Sequence, residues 1–402
     1  MANIFQNVVT YQMSSLALLT NQNCFISTAN TKFKDFDRLT ANLGDTVSFD
    51  LPPRMTTAPS LMATFQDTEQ RVQFLTVDNA ASSSYAFTSQ EFIFNAEEYM
   101  DRYGKSAVAE IGAQVEANVT FNCVSHTYRF FGDGVTAINS YTQLAQALAN
   151  YRAYGAPNHD VRGYLPISNI PDIIGSGLTQ FATDRNNEIA DSWKLGRFSQ
   201  AEWYQSNLLP VHTAGTVGQT ATTLTFVSIN PAGTQITFSG AAVSDPDAIK
   251  ENDLFEFTTD VRFLTFIGHI ASSQRVQFRA TADAASTAGG QVTVDIFPAL
   301  ISTSGDRNQN LTRALAITDT ATVLPSHRAG AIIGGNALYL AMPKLPEEHP
   351  YASVSEFDPD SGVSMRLTYG STFGKNQMGF INSVIWGSTL VDEYAMRLVF
   401  PL

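Results

Sequence analysis

Residues 213–326 constrain this chain more than any other stretch. HTAGTVGQTATTLTFVSINPAGTQITFSG is rich in Thr and Gly and holds two short strand patterns around a Pro-Ala-Gly turn. ENDLFEFTTDVRFLTFIGHI, QRVQFRATADA and GGQVTVDIFPAL follow, short strands at regular spacing, which is the pattern of a small all-β barrel or sandwich. Phe255, Phe257, Phe263 and Phe266 alternate with polar residues there and read as its core, with a carbohydrate-binding platform as the rival reading. The flanks are different. YTQLAQALANYRAYG is a helix pattern closed by Gly155, and Pro157, Pro166 and Pro171 mark further turns. The last stretch, VSMRLTYGSTFGKNQMGFINSVIWGSTLVDEYAMRLVFP, alternates residue by residue as strands do. The β-rich segment is therefore expected as an insertion into an α+β domain whose two halves are 140–212 and 327–402.

Upstream, three more parts are expected. Residues 1–41 read as an N-terminal arm, with Ile4, Val8, Tyr11, Ser15 and Leu18 at helical spacing before a polar stretch. Residues 42–88 read as an extended hairpin. Val47 and Phe49 alternate with polar neighbours up to Pro52-Pro53, and the pattern resumes at Val72, Phe74 and Leu75. A lone hairpin has too little apolar face to be stable, so it must lie on something else. Within residues 89–139, residues 89–120 supply the clearest helix, because Tyr99, Tyr103, Ala107, Ile111, Val115 and Val119 recur every four residues, with Met100 and Val108 widening the stripe. Ser89 is its expected N-cap, and the pattern spans ~25 residues or ~37 Å, suited to a spine.

Composition excludes several classes. Charged residues make up 15% against ~25% in ordinary soluble domains, and hydrophobic residues 44%, which excludes intrinsic disorder. A surface of neutral polar groups is easier to desolvate against a partner than one of Lys and Glu, so a large assembly suits this composition. The formal charge of −13 and the lack of a basic run argue against sequence-independent nucleic-acid binding. No apolar stretch approaches the ~20 residues of a membrane span, and the first residues lack the basic start of a signal peptide. Cys24 and Cys123 have no metal spacing and read as free thiols.

The search for chemistry finds no catalytic, cofactor-binding or metal-binding constellation. No phosphate loop, nucleophile elbow or H-E-x-x-H occurs, and Gly175-Ser176-Gly177 reads as a turn. The six histidines, 126, 159, 212, 269, 327 and 349, are scattered singly. Asp358-Pro359-Asp360-Ser361-Gly362 lacks the distal Glu of a calcium loop and reads as an acidic turn, as does Asp245-Pro246-Asp247. Asn118 and Asn310 stand in glycosylation sequons that mean nothing without secretion.

The order of these parts resembles the major capsid (coat) protein of tailed bacteriophages, of the short-tailed type that carries an inserted β domain. SNLLPVHTAGTVGQ, residues 206–219, is similar to the stretch by which such proteins leave the main domain. ATTLTFVSINPAGTQITFSG resembles the opening hairpin of the insert, and AGAIIGGNALYLAMPKLP the return to the main domain. The resemblance implies the capsid fold: arm (1–41), extended loop (42–88), peripheral domain with spine helix (89–139), and an axial domain (140–212 and 327–402) interrupted by the inserted barrel (213–326). It implies a non-catalytic protein without cofactors, assembling with itself into hexamers and pentamers of an icosahedral shell. That shell would enclose double-stranded DNA without sequence-specific binding. Scaffolding and portal proteins are implied partners, and the virion, assembled in the host cytoplasm, is the implied location. Acidity fits, since excess carboxylates repel phosphate. Some phage shells join loop lysines to neighbouring asparagines, but residues 42–88 hold no lysine, so a non-covalent shell is expected. The expected subunit contacts are the charges near the hairpin's tip, Arg54, Asp67, Glu69 and Arg71. The rival readings are a virion or surface protein that binds glycans or a host through its β-rich part, and a hydrolase with an unrecognised site.

Overall fold

A computed structural model describes residues 24–31, 44, 46–56, 65, 69–88, 103–156, 159–177, 196–265, 268–335, 337–347, 352–358, 362–372 and 377–402. They fall into two compact units. One comprises 1–49, 72–123 and 338–390, and the other 50–71, 124–337 and 391–402.

The second unit is built on a sheet in the order Phe130–Phe131, Ala395–Phe400, His327–Ile333, Val161–Pro166, Ala201–Ser206, Gly196–Phe198. AMRLVF is buried at every position, as a strand covered on both faces must be. The helix Tyr141–Ala153 buries Tyr141, Leu144, Ala147, Leu148 and Tyr151, an apolar stripe at helical spacing. Ser140 caps it, its hydroxyl accepting from the Gln143 N–H at 3.3 Å. These side chains share a core with Ile173, Ile332, Leu398 and Phe400. The helix Ile170–Gly177 extends through Gly175-Ser176-Gly177, which was expected to turn. Ile170, Ile173 and Ile174 are buried on that core, and this packing outweighs the low helix propensity of glycine.

Within the same unit lies a closed barrel. Its strands run in the order Gln235–Ser239, Gln291–Phe297, Gln277–Ala280, Leu254–Phe257, Thr320–Val323, Thr223–Ile229. Phe238, Phe255, Phe257 and Phe278 fill it, with the Phe255 and Phe278 rings stacked at 4.9 Å. Phe263 is also buried, so these rings form core and not an exposed platform; Phe266 lies outside the described residues. Where the chain enters and leaves the barrel, His212 pairs with His327 in a short antiparallel bridge between Val211–His212 and the strand His327–Ile333. Tyr154, just after the helix Tyr141–Ala153, is part of the barrel's core cluster.

The first unit is a five-stranded sheet in which Gln377–Leu390 is central. It pairs with Val363–Thr372, with Leu338–Ala341 and, over ten residues from Thr88 to Asn79, with Asn79–Thr88. Two expectations differ here. Residues 79–88, read as the end of the hairpin, form a strand of their own. Residues 338–390, read with the axial half 327–402, group with the hairpin strands and the long helix, because their ladder runs to Asn79–Thr88. The hairpin strands Thr46–Leu51 and Arg71–Thr76 pair with each other, and Val47, Leu75 and Val77 bury against Ala341 and Ile385. The Gly362 N–H donates to the Asp358 carbonyl at 2.8 Å between the strands Ala352–Asp358 and Val363–Thr372, and residues 359–361, read as part of an acidic turn, lie outside the described residues.

The long helix is Lys105–Ser125, with Ala107, Val108, Ile111, Val115 and Val119 buried as their spacing requires. It runs five residues past the expected end, Tyr103 is 49% exposed, and Ser89, Tyr99 and Met100 lie outside the described residues. In the arm, residues 1–23 are likewise outside, while the stretch read as polar holds a short helix, Cys24–Thr28, with Phe25 and Ile26 buried. Its first N–H groups are satisfied from a distance: Glu116, itself buried, accepts from Phe25 and Ile26 at 2.8 and 3.1 Å. The Cys123 side chain is buried.

Candidate functional site

The most concentrated charge chemistry of the second unit surrounds a single turn, Asp392–Tyr394, which leads into the last strand. Glu393 is 15% exposed and accepts from two guanidinium groups, those of Arg54 and Arg71. Both bond to Oε1, and Arg71 Nη1 reaches Oε2 at 3.4 Å. Arg54 Nη1 also donates to Asn308 Oδ1 and Arg71 Nη1 to the Pro52 carbonyl, each at 3.3 Å. These groups line a cavity of ≈320 Å³ whose other walls include Tyr128, Phe297, Asn310 and Asp392. Burial pushes the Asp392 carboxyl up to about 7, against the opposing pull of Arg279 and Arg129.

Arg129 is fully buried behind this turn. It donates to the carbonyls of Glu393 and Ala395 and lies over the Tyr154 ring at 4.8 Å. The turn is therefore held from its backbone side by one arginine and from its side-chain side by two.

A second polar cluster sits at the base of the barrel. Asp253, fully buried, accepts from the Lys250 and Gly215 N–H groups at 2.8 and 3.1 Å and lies 2.7 Å from His212 Nε2. The His212 and His327 ring centroids lie 5.3 Å apart with the planes tilted by 51°. His327 bonds the Pro325 carbonyl at 2.7 Å, and burial, with help from Arg397, holds its imidazole down at about 3. Arg397 spans the floor, donating to the carbonyls of Val124, Ser125 and Thr127 at and just past the end of the long helix. Apart from the contact between His212 and Asp253, the polar groups named here hold backbone, and this cluster has the chemistry of a structural joint.

Of the four charges singled out in the sequence, the structure brings Arg54 and Arg71 together on one carboxylate of their own chain. Glu69 is exposed, and Asp67 lies outside the described residues. Sequence reasoning missed Glu393, which carries no signal beyond its place in a short acidic turn between two strand patterns. It also read His212 and His327 as isolated, since the bridge that joins them spans the whole barrel. The sequon asparagines have structural duties. Asn310 is 6% exposed and bonds the backbone of Ala299 and Ile301, and Asn118 accepts from Trp386 Nε1 at 3.0 Å. Among the described residues, no group of three or more His, Cys, Asp or Glu side chains is placed to hold a metal ion, and no helix is long and apolar enough to cross a membrane.

No protein-family model and no curated protein sequence matches the chain. Solved structures do. One from Mycobacterium phage Che8 is similar at 9% identity and a TM-score of 0.47, over 94% of this chain and 91% of that one. The mature capsid of bacteriophage PhiM1 is similar at 8% identity and a TM-score of 0.43, over 94% and 87%. The acidic stable capsid of Helicobacter pylori bacteriophage KHP30 is similar at 10% identity and a TM-score of 0.42, over 95% and 92%. All three are phage structures.

Proposed function

We propose that this chain is a major capsid protein of a tailed bacteriophage, a non-catalytic subunit that assembles with itself into hexamers and pentamers of an icosahedral shell around double-stranded DNA. The observation that carries this reading is the order of parts. An extended hairpin, a long helix, a sheet interrupted by a closed barrel and a final strand that completes the sheet follow one another as in the family that the sequence resembles. The low charge density favours burial of subunit surfaces, and the charge of −13 keeps the shell from adhering to DNA. In this reading the barrel 213–326 is an insert of the axial domain, and Arg54, Asp67, Glu69 and Arg71 lie where neighbouring subunits meet. Scaffolding and portal proteins take part in assembly in the host cytoplasm, and the virion is the final location.

The test is sedimentation of the purified chain, produced alone and together with its scaffolding partner. Particles that sediment far ahead of the monomer, and that run at monomer mass after boiling in detergent, are expected. A chain that stays monomeric under both conditions contradicts the proposal, and a ladder of covalent multimers contradicts its non-covalent part.

A further inference from the structure

We infer that His212 and His327, where the chain enters and leaves the barrel, form an acid-operated catch: a proton added to His327 loosens the joint at the barrel's root. Hydrogen bonding fixes which nitrogen of each ring carries the proton. The Pro325 carbonyl can only accept, so His327 Nδ1 donates to it at 2.7 Å. The Arg397 guanidinium can only donate, so His327 Nε2 accepts from Arg397 Nη1 at 3.4 Å. The two contacts together require the neutral ring. His212 is the opposite case. Its Nε2 donates to Asp253 Oδ1 at 2.7 Å, while Asp253 Oδ2 accepts from the Gly215 and Lys250 N–H groups at 3.1 and 2.8 Å. A second proton on His212 would be matched by that carboxylate.

A proton on His327 has no such match. It turns Nε2 into a donor aimed at Arg397 and puts a second cation beside a guanidinium that is fully buried. Arg397 cannot step aside, because it is also bonded to the carbonyls of Val124, Ser125 and Thr127. The groups that face His327 are Arg397 from the last strand and His212 from Val211–His212, and both disfavour the charged ring. Arg279, from the strand Gln277–Ala280, adds its positive charge to that felt by Arg397, while Asp253 is bonded to His212 and the Lys250 ammonium to Asp247. Arg328, next along the strand, belongs to its opposite face. Burial, with Arg397, therefore holds the His327 imidazole down at about 3. Opening the joint returns it toward 6.5, so between those values acid favours the opened joint by about tenfold per pH unit. The barrel keeps its other anchors: Ser272 Oγ donates to the Ala153 carbonyl, Tyr154 Oη to the Arg275 carbonyl, and the Phe130 N–H to Gln277 Oε1. What loosens is the pair of crossings, tied by the His212–His327 bridge, by the Ala214 N–H on Ser326 Oγ at 3.0 Å and by the Ala329 N–H on the Pro210 carbonyl at 2.9 Å.

Hydrogen exchange of the unassembled full chain, read by mass spectrometry and corrected for the chemical rate at each pH, tests the catch. His327→Gln keeps an acceptor for Arg397 and a donor for Pro325 but takes up no proton in this range. Between pH 6.5 and 4.5, opening at residues 211–216 and 325–330 is expected to rise in the unaltered chain relative to the variant. The rise should be about tenfold per pH unit, or about a hundredfold in all. The barrel strand Gln291–Phe297 is the internal reference, and its ratio between the two proteins should stay constant. A constant ratio at the joint overturns the catch. So does a rise that the barrel strand shares, which would mean that acid unfolds the whole unit. Should His327→Gln not fold, nitrogen NMR spectra of the unaltered chain with labelled histidines decide the matter. At pH 4.5 a neutral ring with its proton on Nδ1 is expected, and six charged rings overturn the proposal. Neither readout needs assembly, so both stand apart from the capsid proposal.

Discussion

Asp392 and His327 oppose each other in the pH dependence of stability, and replacing one should expose the other. Burial raises Asp392 from 3.8 to about 7, which disfavours its ionised form in the folded chain by about 4 kcal/mol. Between those two values the folded state holds a proton that the unfolded state has released, so stability falls as pH rises from 3.8 to 7. Burial lowers His327 from 6.5 to about 3, a displacement of about 5 kcal/mol. Here the unfolded state binds the proton first, so stability falls as pH drops from 6.5 toward 3. Between about 4 and 6.5 the two slopes have similar size and opposite sign, and their sum is nearly flat. Asp392→Asn removes the first slope only. Urea unfolding of the unassembled subunit, followed by tryptophan fluorescence from pH 4.5 to 8, should show the variant gaining on the unaltered chain by about 1.4 kcal/mol per pH unit up to 7. Above pH 7 the gain should level off. Parallel curves for the two proteins would refute the burial of Asp392 as the cause.

Glu116→Ala leaves the Phe25 and Ile26 N–H groups without their acceptor and should cost about 2–4 kcal/mol, read as a lowered urea midpoint. Arg397→Lys retains charge but cannot reach the carbonyls of Val124, Ser125 and Thr127 together. It should destabilise by about 3 kcal/mol in the same assay, where a change below 0.5 kcal/mol would remove its role at the helix end.

Sequence periodicity located the elements that bury one face of their own. The four-residue recurrence of Ala107, Ile111, Val115 and Val119 is the buried stripe of the long helix, and the alternation around Phe255 and Phe257 is the barrel interior. What stayed hidden depends on partners far along the chain. Asn79–Thr88, NAASSSYAFT, has few β-branched residues and becomes a strand through its ladder to Gln377–Leu390. Gly387 shows the same dependence, since a Cβ there would lie 2.1 Å from the Thr76 carbonyl oxygen. The site is the extreme case. Arg54 and Arg71 stood out as the cations of the hairpin, but no local pattern could pair them with a carboxylate more than 300 residues away.

Electron microscopy of the purified chain, with its scaffolding partner present, tests the capsid reading most directly. The account predicts closed, roughly spherical shells of uniform diameter with six-fold and five-fold capsomers, in which density for the barrel repeats once per subunit. A field of dispersed single subunits, or of filaments without closed shells, would contradict it.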